Sequence, residues 1–203
     1  GLYQRVWVHQ QHQPAIAALA HAVRSGDADL AIEVLRDTGS DDVQWIDPAD
    51  RKALGQLQDT VVSGAAEVAR AASEGNAGYA LERAVDLKVL CGTRFGPLGS
   101  YAWRDHLESR LPKLVQGLST GRGYYVGRPV IITRNDYITG VFNGDTGIVI
   151  RNDARTVVAM PGGPDGIRLV LPSQLAAVET WWAMTIHKSQ GSEFAHAVVS
   201  LPD

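Results

Sequence analysis

The chain is 203 residues long, 45% apolar and 20% charged, with a formal net charge of −3. That length holds one or two compact domains with a real core, and the composition is that of an ordinary globular protein. One cysteine, Cys91, excludes an internal disulfide framework and fits a reducing, cytoplasmic compartment; no apolar run approaches the ~20 residues of a membrane span, no secretory signal is visible in the opening residues, and the acidic balance runs against a free-standing nucleic-acid binder.

The chain begins with Gly1 rather than methionine, so residues 1–13 are set apart as an uncertain or non-native leader and the chain is expected to be a fragment. Pro14, Ile16, Leu19, Ala20 and Val23 lie at helical spacing. Ser25-Gly26-Asp27 ends that helix and caps a second one running to about Leu35. Asp41, Asp42 and Asp47 form an acidic patch with no histidine or cysteine at ligand spacing, which reads as a solvated loop and not a metal site. Asp47-Pro48-Ala49-Asp50 predicts a helix start with Asp47 as N-cap and Pro48 at N1. The helix continues through Leu54, Leu57, Val61, Val62, Ala65, Val68 and Ala69 and stops near Gly75.

Leu87-Lys88-Val89-Leu90-Cys91 reads as a short buried parallel strand, with Cys91 as a small core residue. A glycine-rich loop, Gly92 to Gly99, leads into a helix over Leu98–Leu111 that Pro112 closes. Val130 to Thr133 is a second strand. Phe142-Asn143-Gly144-Asp145 is a tight turn that opens an antiparallel set at Gly147–Arg151, Thr156–Met160 and Ile167–Leu171. The fold class expected is α/β: a mainly parallel sheet, residues 14–141 and 179–203, interrupted by a small β-barrel at 142–178. Loops at the carboxyl edge of such a sheet carry the chemistry.

Three segments suit phosphate contact. In Thr185-Ile186-His187-Lys188-Ser189-Gln190-Gly191-Ser192-Glu193-Phe194, the side chains of Thr185, His187, Lys188 and Ser189 can hold phosphates without reading sequence, Gly191 permits close backbone approach, and Glu193 can accept from ribose hydroxyls. In Gly127–Tyr137, Arg134 can clamp a phosphate, Asn135 can donate to a backbone or base, and Tyr137 can stack on a base; taken alone, the segment reads sooner as a strand followed by an Asn-Asp turn. In Leu90–Gly99, Arg94 in a strand-to-helix loop can meet a phosphate, or simply face solvent. Trp181-Trp182, just ahead of the first segment, reads as core or domain interface sooner than as a base-stacking pair.

The Thr185–Phe194 string resembles motif V of superfamily 1 DNA helicases in the wording of the exodeoxyribonuclease V alpha chains (RecD), and the Arg128–Gly147 stretch is similar to theirs in the same order. The resemblance covers about residues 14 to 203 and implies a RecA-like, P-loop-NTPase-type second motor domain, incomplete at its C-terminus, with the insert at 142–178 as an SH3-like barrel. It implies that Arg94, Arg134, Asn135, Thr185, His187 and Lys188 lie on the single-stranded DNA side, while Gln190, Gly191 and Glu193 face ATP across a cleft. It further implies a 5′-to-3′ helicase using ATP and magnesium with RecB and RecC in double-strand-break repair.

The chain departs from the family pattern. It holds no G-x-x-x-x-G-K-[ST] run and no Walker B acid pair, Gln11-His12-Gln13 stands where the family has an arginine, and Asp203 comes before a motif VI arginine finger. The expectation is therefore no ATP hydrolysis and no stable ATP or magnesium binding by this chain alone. A non-catalytic DNA-binding or protein-docking module that kept the fold is the alternative, with the barrel itself as a third candidate for the working part.

Overall fold

The computed structural model describes residues 14–37, 42–121 and 123–202. The leader, Gln11-His12-Gln13 and Asp41 lie outside these. The chain divides into two units, Gly1–Leu57 and Gln58–Asp203.

The first unit contains helices α1 (Pro14–Ser25) and α2 (Ala28–Arg36), which pack on each other. Asp27 caps α2 by accepting from the Leu30 N–H at 3.0 Å. Helix α3 (Arg51–Ser73) starts three residues later than the end of the expected Asp47-Pro48 cap. Asp50, not Asp47, accepts from the first-turn amides of Lys52 and Ala53, both at 3.0 Å. Asp47 instead closes a turn on the Ala49 N–H, and Pro48 lies in that turn.

In the second unit, the rest of α3 buries an alanine- and valine-rich face. Helix α4 (Ala77–Asp86) follows, capped by Asn76, and leads directly into strand β1 (Leu87–Cys91). Helix α5 (Ser100–Leu114) passes through Pro112 instead of stopping there. Proline has no N–H for the Glu108 carbonyl four residues back, and the Thr120 hydroxyl donates to that carbonyl at 2.6 Å in its place.

Two sheets result. One is parallel, in the order β7 (Ala183–Thr185), β1, β8 (His196–Ser200). The other is antiparallel, in the order β5 (Ile167–Val170), β4 (Arg155–Pro161), β3 (Thr146–Asn152), β2 (Pro129–Ile132), β6 (Val178–Thr180). Its core is Val130, Ile132, Val141, Val149, Val158, Met160, Val170 and Leu175. Two expectations need correction. The strand near Val130 joins the antiparallel sheet, because Ile131 pairs with Thr146 on one side and Glu179 on the other. Among the described residues the edge strands β5 and β6 do not pair, so this sheet is not a closed barrel.

The register of the parallel sheet fixes the path of one loop. Thr185 is level with Cys91 and His196 with Leu87, on opposite sides of β1. Residues 186–195 must therefore run back along the length of β1, a crossover shorter than the dozen or so residues such connections usually take.

Candidate functional site

The strands β7 and β1 end together, so the loops that follow them share the carboxyl edge of the parallel sheet. One is Gly92–Gly99, which carries Arg94. It is folded onto the start of α5: the Thr93 and Arg94 carbonyls accept from the Ser100 and Tyr101 amides, both at 3.1 Å. A Cβ on Gly99 would lie 2.5 Å from the Phe95 carbonyl oxygen, so this glycine lets the loop close on itself. Arg94 is exposed there, and Phe95, 74% exposed, packs edge-on against Tyr101.

The other loop is the motif V-like string. A single 3₁₀ turn, Ile186–Ser189, follows Thr185. The Ser189 hydroxyl donates to the Ile186 carbonyl at 2.8 Å, so it serves the turn itself. His187 is exposed, and Lys188 donates to Glu179 at 2.6 Å. Gln190, Gly191, Ser192 and Glu193 are all exposed, with Gly191 at φ +85° and open space where a Cβ would be. The loop then tucks in: Phe194 is half-buried, its ring 6.4 Å from that of Trp181.

Arg134 and Asn135 follow β2 and thus belong to the antiparallel sheet. Both are exposed and line a hollow of about 350 Å³ with Ile132, Tyr137, Ala176 and Ala177. Asn135 has a structural duty as well, since its side-chain oxygen accepts from the Asn143 amide at 2.8 Å. Asp136 pins the same loop by accepting from the Ile138 amide at 2.9 Å. Two residues beyond Ala177 stands Glu179, the partner of Lys188. Segment 175–179 thereby runs between the Arg134 loop and the motif V-like loop and joins the expected strand-contacting residues.

Trp181 and Trp182 are buried, as core residues. The Trp182 indole N–H donates to the Tyr125 hydroxyl at 2.9 Å, which donates to Glu108 at 2.8 Å. Trp181 leads to a residue that sequence reading had counted only as part of an apolar strand. Lys88 is 1% exposed, and its Nζ donates to the Trp181 carbonyl at 3.0 Å and lies 3.5 Å from the centre of the Trp181 ring. Burial pulls its pKa down to about 7. The signal was present in the sequence: one lysine inside an otherwise apolar run predicted to be buried.

The donor set does not fit a magnesium ion by itself. Among the described residues no three His, Cys, Asp or Glu side chains converge to hold a metal, and Glu193 is a lone exposed acid in its loop. Among the described residues, no helix is long and apolar enough to cross a membrane.

No protein-family model matches the chain. It is similar to the RecBCD enzyme subunit RecD of Mycolicibacterium smegmatis, at 37% identity over 201 residues, 93% of this chain and 32% of that protein. RecD of Mycobacterium tuberculosis (strain H37Rv) matches at 35% over 189 residues, 92% of this chain and 32% of that protein. The ATP-dependent RecD2 DNA helicase of Deinococcus radiodurans matches at 31% over 110 residues, 53% of this chain and 15% of that one. A solved structure of two coordinating Pif1 helicases at forked double-stranded DNA covers 70% of this chain and 40% of its own at 15% identity and a TM-score of 0.32, too distant to carry an argument. The chain spans about a third of the length of the mycobacterial relatives it matches.

Proposed function

The chain is a relative of the RecD subunits along nearly its whole length, and from that premise we propose that it is the C-terminal motor portion of an ATP-dependent 5′-to-3′ DNA helicase subunit. In this reading it binds single-stranded DNA and forms one wall of an ATP cleft, working with RecB and RecC in double-strand-break repair and recombination.

The observation that supports this best is the place of the Thr185–Glu193 loop at the carboxyl edge of the parallel sheet, beside the Arg94 loop, with His187 and residues Gln190 to Glu193 exposed. Thr185, His187, Lys188 and Arg94 offer donors to successive phosphates, which position a strand without reading its sequence. Arg134 and Asn135 approach the same strand from the antiparallel sheet. Lys188 exchanges Glu179 for phosphate when the strand arrives. Gln190, Gly191 and Glu193 face the nucleotide, with Gly191 letting the backbone come close. ATP, when bound, supplies the phosphoryl transfer whose free energy drives closure. The phosphate-binding lysine, the ligands of magnesium and the arginine finger would come from other parts of a longer protein.

The test pairs this chain with the full-length protein. Alone, the chain binds single-stranded DNA in a salt-dependent manner and hydrolyses no ATP; full-length protein shows ATPase stimulated by single-stranded DNA. Robust hydrolysis by the 203 residues alone contradicts the proposal.

A second reading, a non-catalytic DNA-binding or protein-docking module, is favoured in its protein-docking form by the Lys188–Glu179 ion pair and the net charge of −3, both of which oppose strand binding. Absence of a Walker A sequence from the complete reading frame would select it.

A further inference from the structure

Lys88 has no place in the strand or nucleotide contacts described above, yet it is one of the most completely buried side chains of the chain. Its Nζ is matched by a carbonyl and a ring face, and among the described residues no carboxylate is bonded to it. A buried cation so held costs stability compared with an apolar side chain of similar volume. The geometry shows what this cost maintains.

β1 meets the motif V-like loop at both of its ends. At the start, Thr185 pairs with Cys91 at the end of β1. At the finish, Phe194 packs on Trp181, and Trp181 is the residue held by Lys88, through its carbonyl and its ring together. Trp181 is clamped from further sides: its amide donates to Pro129 of β2 at 2.9 Å, and its indole N–H donates to the Met184 sulfur at 2.9 Å. It is also the first residue after β6, where the chain leaves the antiparallel sheet for the parallel one. Between its two anchored ends the loop has one backbone hydrogen bond of its own beyond the 3₁₀ turn, Ser192 N–H to the Ser189 carbonyl. Its conformation is therefore set mainly from outside.

We infer that Lys88 is a positioning residue for the Thr185–Glu193 loop, acting through Trp181 and Phe194. It touches neither strand nor nucleotide. It fixes the seat on which the far end of the loop rests, and so fixes the angle at which His187, Lys188 and Glu193 are presented. This deepens the reading of that loop as a strand and nucleotide contact, and the experiment separates the two.

Cys91 is buried, and burial pushes its thiol up to about 11, so a nitroxide label directed to Ser192→Cys reports on the loop without competition. The labelled chain is compared with the same chain carrying Lys88→Met, Lys88→Arg or Phe194→Ala. Lys88→Met removes the cation and keeps most of the volume. It is expected to raise the unfolding midpoint and yet to shorten the label's correlation time by roughly threefold. Phe194→Ala is expected to mobilise the label to the same degree, whereas Lys88→Arg, which keeps charge and donors, is expected to stay within a small margin of the parent. A label equally restrained in the parent and in Lys88→Met overturns the inference. If Lys88→Met fails to fold, Phe194→Ala carries the test, and an unchanged spectrum there overturns it as well. Strand binding is measured on the same proteins. A mobilised loop with affinity roughly tenfold weaker supports both readings. A mobilised loop in a protein whose parent never bound the strand supports the role of Lys88 and sinks the DNA reading alone.

Discussion

Lys188 Nζ and Glu179 Oε2 lie 2.6 Å apart, tying the loop after β7 to a strand of the antiparallel sheet. The pair is partly exposed, at 28% and 53%, so it adds only about 0–1 kcal/mol to stability. Its interest lies in what it holds ready: a lysine already aimed, with an acid that must give way to an anion.

Lys188→Ala should therefore change the unfolding midpoint little. It should weaken single-strand binding about equally for all sequences and flatten the dependence of log affinity on log salt by about 0.7, one phosphate contact. Glu179→Gln should act in the opposite sense and tighten binding, because the competing carboxylate is gone. Salt titrations of both variants check this, and unchanged affinity in both would remove Lys188 from the groove.

Glu193→Ala should leave single-strand affinity intact and impair ATP use by the full-length protein, since Glu193 is exposed on the stretch after Gly191 and takes no part in the Lys188–Glu179 pair. Strand titration and ATPase measured side by side decide it. Loss of DNA affinity would place Glu193 on the strand side instead.

Lys88 makes stability depend on pH in a defined sense. Its pKa falls from 10.5 in the unfolded chain to about 7 in the folded one. Between those values the unfolded chain binds more protons, so stability rises with pH across the window, and the penalty is present in full below pH 7. At about 1.4 kcal/mol per pH unit, the rise is at most roughly 5 kcal/mol, since the carbonyl and ring favour the ammonium. Asp59 and Glu67 of α3, Arg83 and Asp86 of α4 and His196 of β8 line the hollow of about 620 Å³ that Lys88 also borders. Subtracting the curve of Lys88→Met isolates the lysine: urea midpoints of that variant should be higher at pH 7 and should lack the rise. Parallel curves for parent and variant would refute it.

Thr120→Val should cost about 1–3 kcal/mol, because the part-buried Glu108 carbonyl then has neither the hydroxyl nor a Pro112 N–H. Pro112→Ala should recover much of that loss in the double variant by restoring the helical N–H. A double-mutant cycle by chemical denaturation measures the coupling, and strict additivity would show that the two groups do not serve the same carbonyl.

Local signals determined a large share of this molecule. Helical spacing marked α1 and the body of α3, glycine and Asn-Gly pairs marked the turns, and β3, β4 and β5 were legible as short apolar runs between those turns, because spacing and turn chemistry are short-range properties. The Thr185–Phe194 string was legible for the same reason, its donors being adjacent in sequence. Other features depended on partners far along the chain. Asp50 rather than Asp47 caps α3 because the chain turns at Pro48 first, and α5 runs through Pro112 because Thr120 takes over a carbonyl. The assignment of β2 to the antiparallel sheet rests on Thr146 and Glu179 as neighbours of Ile131, and the sheet's open edge on the lack of pairing between β5 and β6. The pairing of Lys188 with Glu179, and of Lys88 with a tryptophan ninety-three residues away, belongs wholly to tertiary structure. Sequence supplies which groups exist, while burial and register choose which of them meet, because both are set by the whole chain at once.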